Sequence, residues 1–93
     1  MSGGYFDYKQ YLLTEIADRI EEVLKSQGEK IEGLDYHYPV YSDEIQEKFR
    51  EAIRLLKKAE VYVQRIDWLV SDDDGEEQFL KRLKEDLDDL FKE

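Results

Sequence analysis

The densest chemistry in this sequence lies in QRIDWLVSDDDGEEQF, residues 64–79, where an arginine, a tryptophan and six acids crowd together. The run Asp72-Asp73-Asp74-Gly75 has the look of a calcium loop. A helix–loop–helix site with Gly75 at its sixth position would begin at Val70 and end at Lys81. Both of those positions must supply oxygen, the last as a bidentate glutamate. The calcium register therefore fails. A capping register fits: Asp74 as N-cap and Glu77 three residues on form a capping box, and Glu76 adds favourable charge to a first helical turn. Gly75 relaxes the joint. Weak divalent-ion binding by Asp72–Glu77 is left open, but no metal site is expected.

Other reactive arrangements fare no better. Glu60 and Asp67 stand two helical turns apart, about 10 Å along one stripe. Neither has a sequence neighbour that would raise its pKa and make it an acid catalyst. His37 is the single histidine and no Glu-x-x-His exists, so a di-iron helical site is excluded. Without cysteine, a zinc site would be poor. Ser26, Ser42 and Ser71 read as helix-end residues and Thr14 lies within a helix. No glycine-rich loop follows a strand. The expectation is a protein that is not an enzyme and needs no cofactor.

What remains is recognition chemistry. Arg65 and Trp68 are three apart, hence neighbours on a helix, with Tyr62 beside them. Arginine and tryptophan are favoured interface anchors. At the other end, Tyr5, Phe6, Tyr8 and Tyr11 crowd a short N-terminal stretch. Phe6 and Tyr8 would staple a helix onto the core. The candidate binding residues are Arg65, Trp68, Tyr62, Tyr5, Tyr8 and Tyr11. The tyrosines and Arg65 would also suit a shallow pocket for a planar ligand, since nucleobases stack on such rings.

Three helices must position these groups. Residues 42–71 contain no glycine or proline, and Ile45, Phe49, Ala52, Leu56, Ala59, Val63, Ile66 and Val70 recur at alternating steps of four and three. That is an unbroken heptad. Ser42 is the natural N-cap, with Asp43 and Glu44 in the first turn. Such a helix would be roughly 40–45 Å long, more than a small core needs, which favours self-association. Residues 8–26 predict a second helix, with Tyr8, Leu12, Ile16, Ile20, Val23 and Leu24 on one face, broadened by Leu13 and Ala17. Asp7 is its candidate cap. Residues 76–91 predict a third, striped by Phe79, Leu80, Leu83, Leu87, Leu90 and Phe91. Residues 27–41, rich in tyrosine, read as an ordered loop. The expected fold is all-α: a three-helix antiparallel bundle with a long central helix, forming a single domain over residues 1–93.

Charge narrows the partners. The chain carries a net charge of −10 over 93 residues. That field repels nucleic acid and anionic membrane and suits a basic protein partner. Residues 72–93 form the acidic end, with ten acids against four bases. No apolar run is long enough to span a bilayer, and the first residues lack a signal-peptide pattern. A cytoplasmic location is the expectation.

Four strings carry a resemblance. They are Gly3-Gly4-Tyr5-Phe6-Asp7-Tyr8; Tyr41-Ser42 with Phe49 and Ala52; Gln64-Arg65-Ile66-Asp67-Trp68-Leu69; and Asp73-Asp74-Gly75-Glu76-Glu77 with Phe79, Arg82 and Leu83. Together they resemble a family of short uncharacterised proteins of phages, prophages and bacterial mobile elements, over nearly the whole chain apart from 27–37. The resemblance implies a context and transfers no residue role. It favours a small acidic protein that acts by binding another protein, such as a regulator or inhibitor of a host system. The alternative expectation is an oligomeric binder or sequesterer of a small aromatic ligand such as a nucleotide. The expected partner is another protein, a second copy of this chain, or both.

Overall fold

The computed structural model of the protein describes residues 4–71 and 75–91. It contains α1 (Tyr11–Lys25), α2 (Asp43–Val70) and α3 (Glu76–Leu90). The all-α, three-helix antiparallel arrangement expected from the sequence is the observed one, and α2 is the long central helix. At 28 residues it extends about 42 Å.

The start of α2 follows its capping chemistry. Ser42 sits in extended conformation, and its side chain accepts from the Ile45 amide, with Asp43 and Glu44 in the first turn. The other two starts differ from expectation. α1 begins at Tyr11, not at residue 8, because Asp7 and Tyr8 both hold positive φ, 56° and 60°. Residues 4–10 instead form consecutive turns, with Asp7 N–H donating to the Gly4 carbonyl and Lys9 N–H to that of Phe6. Asp7 caps nothing; the N-cap position belongs to Gln10, whose side chain is committed elsewhere. At α3 the N-cap is Gly75, without a side-chain cap bond, and Glu76 and Glu77 fill the first turn. The capping role expected of Asp74 falls outside the described residues, as do Asp72 and Asp73.

The 27–41 segment is ordered by its own backbone. Gly28 N–H donates to the Tyr38 carbonyl, Tyr38 N–H to Glu29, and Ile31 N–H to Tyr36. These make a small hairpin with one isolated antiparallel bridge, Lys30 to His37. Gln27 and Gln46 tie its exit down: Tyr41 N–H donates to Gln27 Oε1, and Gln46 Nε2 donates to the Tyr41 carbonyl. The Tyr41 ring lies 5.2 Å from that of Phe49.

The helices do not enclose a common centre. α1 packs on α2 and α3 packs on α2, but α1 and α3 do not meet. The α2 residues bonded to α1 and to its N-cap residue Gln10 are Glu60, Gln64 and Asp67. α3 is met by Arg65, and Leu55 and Lys58 adjoin Phe91 at its end. At 3.6 residues per turn these two sets lie on roughly opposite sides of α2. The heptad seam runs in the groove between. Its ends, Ile45 and Val70, are exposed.

The consequence is a thin, extended molecule of 56 × 27 × 16 Å. Its radius of gyration is 17.5 Å, where a compact domain of this length would have about 12 Å. Its accessible surface is 7188 Å², where a folded monomer of this mass exposes roughly 5,700 Å². Among the described residues only Gln10, Ala17 and Asp67 are buried.

Candidate binding surface

Two of those three buried residues are polar, and they form one knot. Asp67 is fully enclosed. Its carboxylate accepts from Gly4 N–H at 3.0 Å, Tyr5 N–H at 2.7 Å and Gln10 Nε2 at 3.0 Å, with Ser71 Oγ at 3.4 Å. Gln10 Nε2 also donates to Gln64 Oε1. Burial by itself would push the carboxyl up. The Tyr5 and Gly4 amides, then Gln10 and Ser71, outweigh it and hold Asp67 below its ordinary value. Asp67 is thus an ionised carboxylate stabilised by donors, and it anchors the N-terminal arm to α2.

The knot also explains why the arm is not helical. Turning its amides toward Asp67 requires the Gly4 backbone to adopt φ 92°, a conformation open to glycine. A Cβ at Gly4 would lie 3.3 Å from Tyr8 Oη. One turn below, the Thr14 hydroxyl donates to the Glu60 carboxylate. Glu60 and Asp67, aligned on one stripe as the sequence indicates, both serve to dock α1.

Arg65 and Trp68 meet as their spacing predicts. The guanidinium carbon stands 4.5 Å from the centre of the Trp68 ring, in cation–π range. Arg65 Nε donates to Asp86 Oδ2 of α3 at 2.6 Å, and its side chain is 13% exposed. Arg65 and Trp68 therefore take part in the α2–α3 joint. Tyr62, one turn earlier, is exposed.

The N-terminal tyrosines form a separate group. Tyr8 and Tyr11 stack with centroids 6.4 Å apart and planes within 10°. Tyr5 stands edge-on to Phe6 at 5.1 Å. All three tyrosines are exposed. They lie with α1, whereas the described contacts of Arg65 place it toward α3. Of the expected Phe6–Tyr8 staple only Phe6 closes on the core, lining a recess with Gln10, Leu13 and Val63, whereas Tyr8 is turned out by its positive φ and exposed.

The outer side of α1 was not legible as a separate surface. The single broad apolar face expected there divides in two. Leu13, Ala17, Ile20 and Leu24 turn inward, whereas Leu12, Ile16 and Val23 are exposed. At the C-terminal end of this outer stripe lies a cavity of about 460 Å³, lined by Arg19, Glu22, Val23, Ser26, Tyr38, Pro39 and Tyr41. The missed signal was the step pattern itself: 13-17-20-24 and 12-16-23 are two registers.

No group of His, Cys, Asp and Glu that could hold a metal ion occurs among the described residues. None of their helices is long and apolar enough to cross a membrane. Comparison with family models, with curated proteins and with solved structures finds no match to this chain.

Proposed function

We propose that this chain is a non-enzymatic helical protein that works by binding another protein through its open apolar faces. The observation that carries the reading is the outer stripe of α1. Leu12, Ile16 and Val23 share one face of α1 and are each 44% to 53% exposed, and Tyr8 and Tyr11 at its start are 55% and 52% exposed. Contiguous apolar surface of that kind marks docking sites. The net charge of −10 favours a partner whose rim is basic. The resemblance to short phage and prophage proteins supports a regulator or inhibitor of a host system, acting in the cytoplasm.

The test is affinity capture from a bacterial lysate, then binding of the captured protein in purified form. Wild type is compared with Tyr8→Ala/Tyr11→Ala and with Arg65→Ala/Trp68→Ala. Loss of affinity in the first variant supports docking at the α1 face. Loss in the second moves the anchor to the α2–α3 joint. A purified partner that binds all three equally refutes both sites.

A second reading has one observation in its favour. The cavity beside α1 has the volume of a small-ligand site and presents Tyr38, Tyr41, Arg19 and Glu22, which suits sequestration of a small aromatic ligand such as a nucleotide. Calorimetric titration with nucleoside monophosphates decides it, and absence of heat at millimolar ligand would exclude it.

A further inference from the structure

α1 carries two apolar stripes, and only one is used. Leu13, Ala17, Ile20 and Leu24 turn toward α2, while Leu12, Ile16 and Val23 are left exposed. A helix whose apolar face is wider than its contact with α2 leaves the remainder of that face to be covered. Three further observations indicate what covers this one.

The size of the deficit is the first. The accessible surface is 7188 Å², roughly 1,500 Å² more than a monomer of this mass should expose, whereas a standard interface takes about 800 Å² from each partner. The second is charge. Glu15, Arg19 and Glu22 flank the stripe on one side, all exposed, with Glu15 and Arg19 bridged at 3.4 Å. A border that carries both signs lets Arg19 of one antiparallel copy face Glu15 of the other.

The third is the contrast between the two ends. The N-terminal end presents the stacked Tyr8–Tyr11 pair. The C-terminal end presents the cavity formed by Val23, Ser26, Tyr38, Pro39 and Tyr41. Tyr8 also holds φ 60°, a conformation that bulky residues avoid, yet its ring is exposed.

We infer that a second copy of this chain docks antiparallel along the outer face of α1. With a twofold axis beside Ala17, Leu12 of one copy meets Val23 of the other. Glu15 meets Arg19, and the Tyr8–Tyr11 pair enters the cavity of the second copy. The spacing agrees within the helix: at 1.5 Å per residue, Tyr11 and Val23 each lie roughly 9 Å from the axis along α1. Such an isologous contact satisfies both ends at once. This rests on reading the open faces as docking surfaces, and it names the occupant of one of them.

Sedimentation of the purified full chain at about 100 µM, a concentration that populates any dimer with a Kd in the low-micromolar range, is the first measurement. Wild type is expected as a dimer. Leu12→Glu and Ile16→Glu are expected as monomers with unchanged helical circular dichroism. Leu55→Glu, on an exposed side chain of α2 outside the stripe, is expected to leave the dimer intact. Mixing then reads the geometry. Glu15→Arg and Arg19→Glu each place like charges across the axis and should weaken self-association about tenfold. Mixed together they should recover it, although neither chain retains its internal ion pair and both stay net negative. Since the chain has no cysteine, Leu12→Cys and Val23→Cys should cross-link on oxidation only when mixed.

A monomeric wild type, a dimer that survives Leu12→Glu, or cross-linking of either cysteine variant alone would overturn the proposal. A monomeric wild type that still binds a purified partner through Tyr8 and Tyr11 would overturn the dimer alone. A dimer that binds no other protein would instead overturn the hetero-binding reading.

Discussion

The two sides of α2 are held by different means. On the α1 side, a fully enclosed carboxylate collects donors from two backbone amides and two side chains, and a second carboxylate takes the Thr14 hydroxyl. On the α3 side the described polar tie is the Arg65–Asp86 pair, backed by the Trp68 ring. Asp86 remains about a third exposed. α3 has no buried residue. The α1 side is over-determined, since several groups must let go together. The α3 side carries its Arg65–Asp86 pair at a partly exposed position and buries no residue of α3. Local stability follows such differences, so α1–α2 should behave as the rigid unit and α3 as the looser arm.

The largest expected effect comes from removing the acceptor at the centre of the rigid side. Asp67→Ala leaves the Gly4 and Tyr5 amides and Gln10 without their acceptor, and should destabilise the fold by about 3 kcal/mol in urea unfolding. It should also expose the N-terminal arm to proteolysis before α2 loses helicity. Asp67→Asn keeps the shape, loses the charge and should lie in between. The pH dependence has a fixed sign. The carboxyl is held below its ordinary value, so its contribution is complete above that value and is lost progressively as pH falls from there toward the folded pKa. Wild type should therefore lose stability more steeply than Asp67→Asn below about pH 4. Parallel acid limbs in the two proteins would show that Asp67 is not what holds the arm.

The same contrast explains what could be read from the sequence. The heptad from Ile45 to Val70, unbroken by glycine or proline, locates α2 almost to the residue, because a long helix is specified by local pattern. Ser42 as its cap is likewise a local fact. The start of α1 is not local. Asp7, Tyr8 and Lys9 are acceptable helix residues, and only an acceptor some sixty residues away, Asp67, pulls this segment into turns. The knot of Gln10, Gln64 and Asp67 has no meaning until two segments meet. Arg65 and Trp68 were legible as neighbours, but the acceptor of Arg65 was not, since nothing in their spacing identifies Asp86. The strings GGYFDY and QRIDWL gain a physical link here: Gly4 and Tyr5 of one are bound by Asp67 of the other.

The looser side gives the next effect. Arg65→Ala should cost about 1–2 kcal/mol, from the charge-assisted bond and the cation–π contact together. Trp68 is the only tryptophan, so its fluorescence reports this joint directly. Arg65→Lys keeps the charge but not the planar stack, and should change that fluorescence while costing less stability. In hydrogen exchange, Arg65→Ala should lower protection across α3 and leave α1 unchanged. Equal loss of protection in α1 and α3 would mean that the two sides form one cooperative unit, and the comparison would fail.

A smaller change probes the rigid side without touching its acceptor. Gly4→Ala places a Cβ on a backbone at φ 92°, 3.3 Å from Tyr8 Oη. A cost of about 1 kcal/mol is expected from the left-handed conformation, and a shift of the Tyr8 ring with it. If Tyr8 and Tyr11 serve the dimer, this variant should weaken self-association more than it weakens folding.

The smallest change falls on neither side. Ser42 caps α2 through a bond of 3.4 Å to the Ile45 amide, long for a hydrogen bond, so Ser42→Ala should cost only about 0.5 kcal/mol, at the low end for a cap. Because α2 is shared, that loss should appear equally in helical circular dichroism and in Trp68 fluorescence. Arg65→Ala, by contrast, should move the fluorescence transition ahead of the helical one. A cap variant that also separates the two transitions would show that α2 itself frays at its start independently of both neighbours. The asymmetry would then reside within α2, where Ser42 and Trp68 lie near opposite ends, and not between the two helices that flank it.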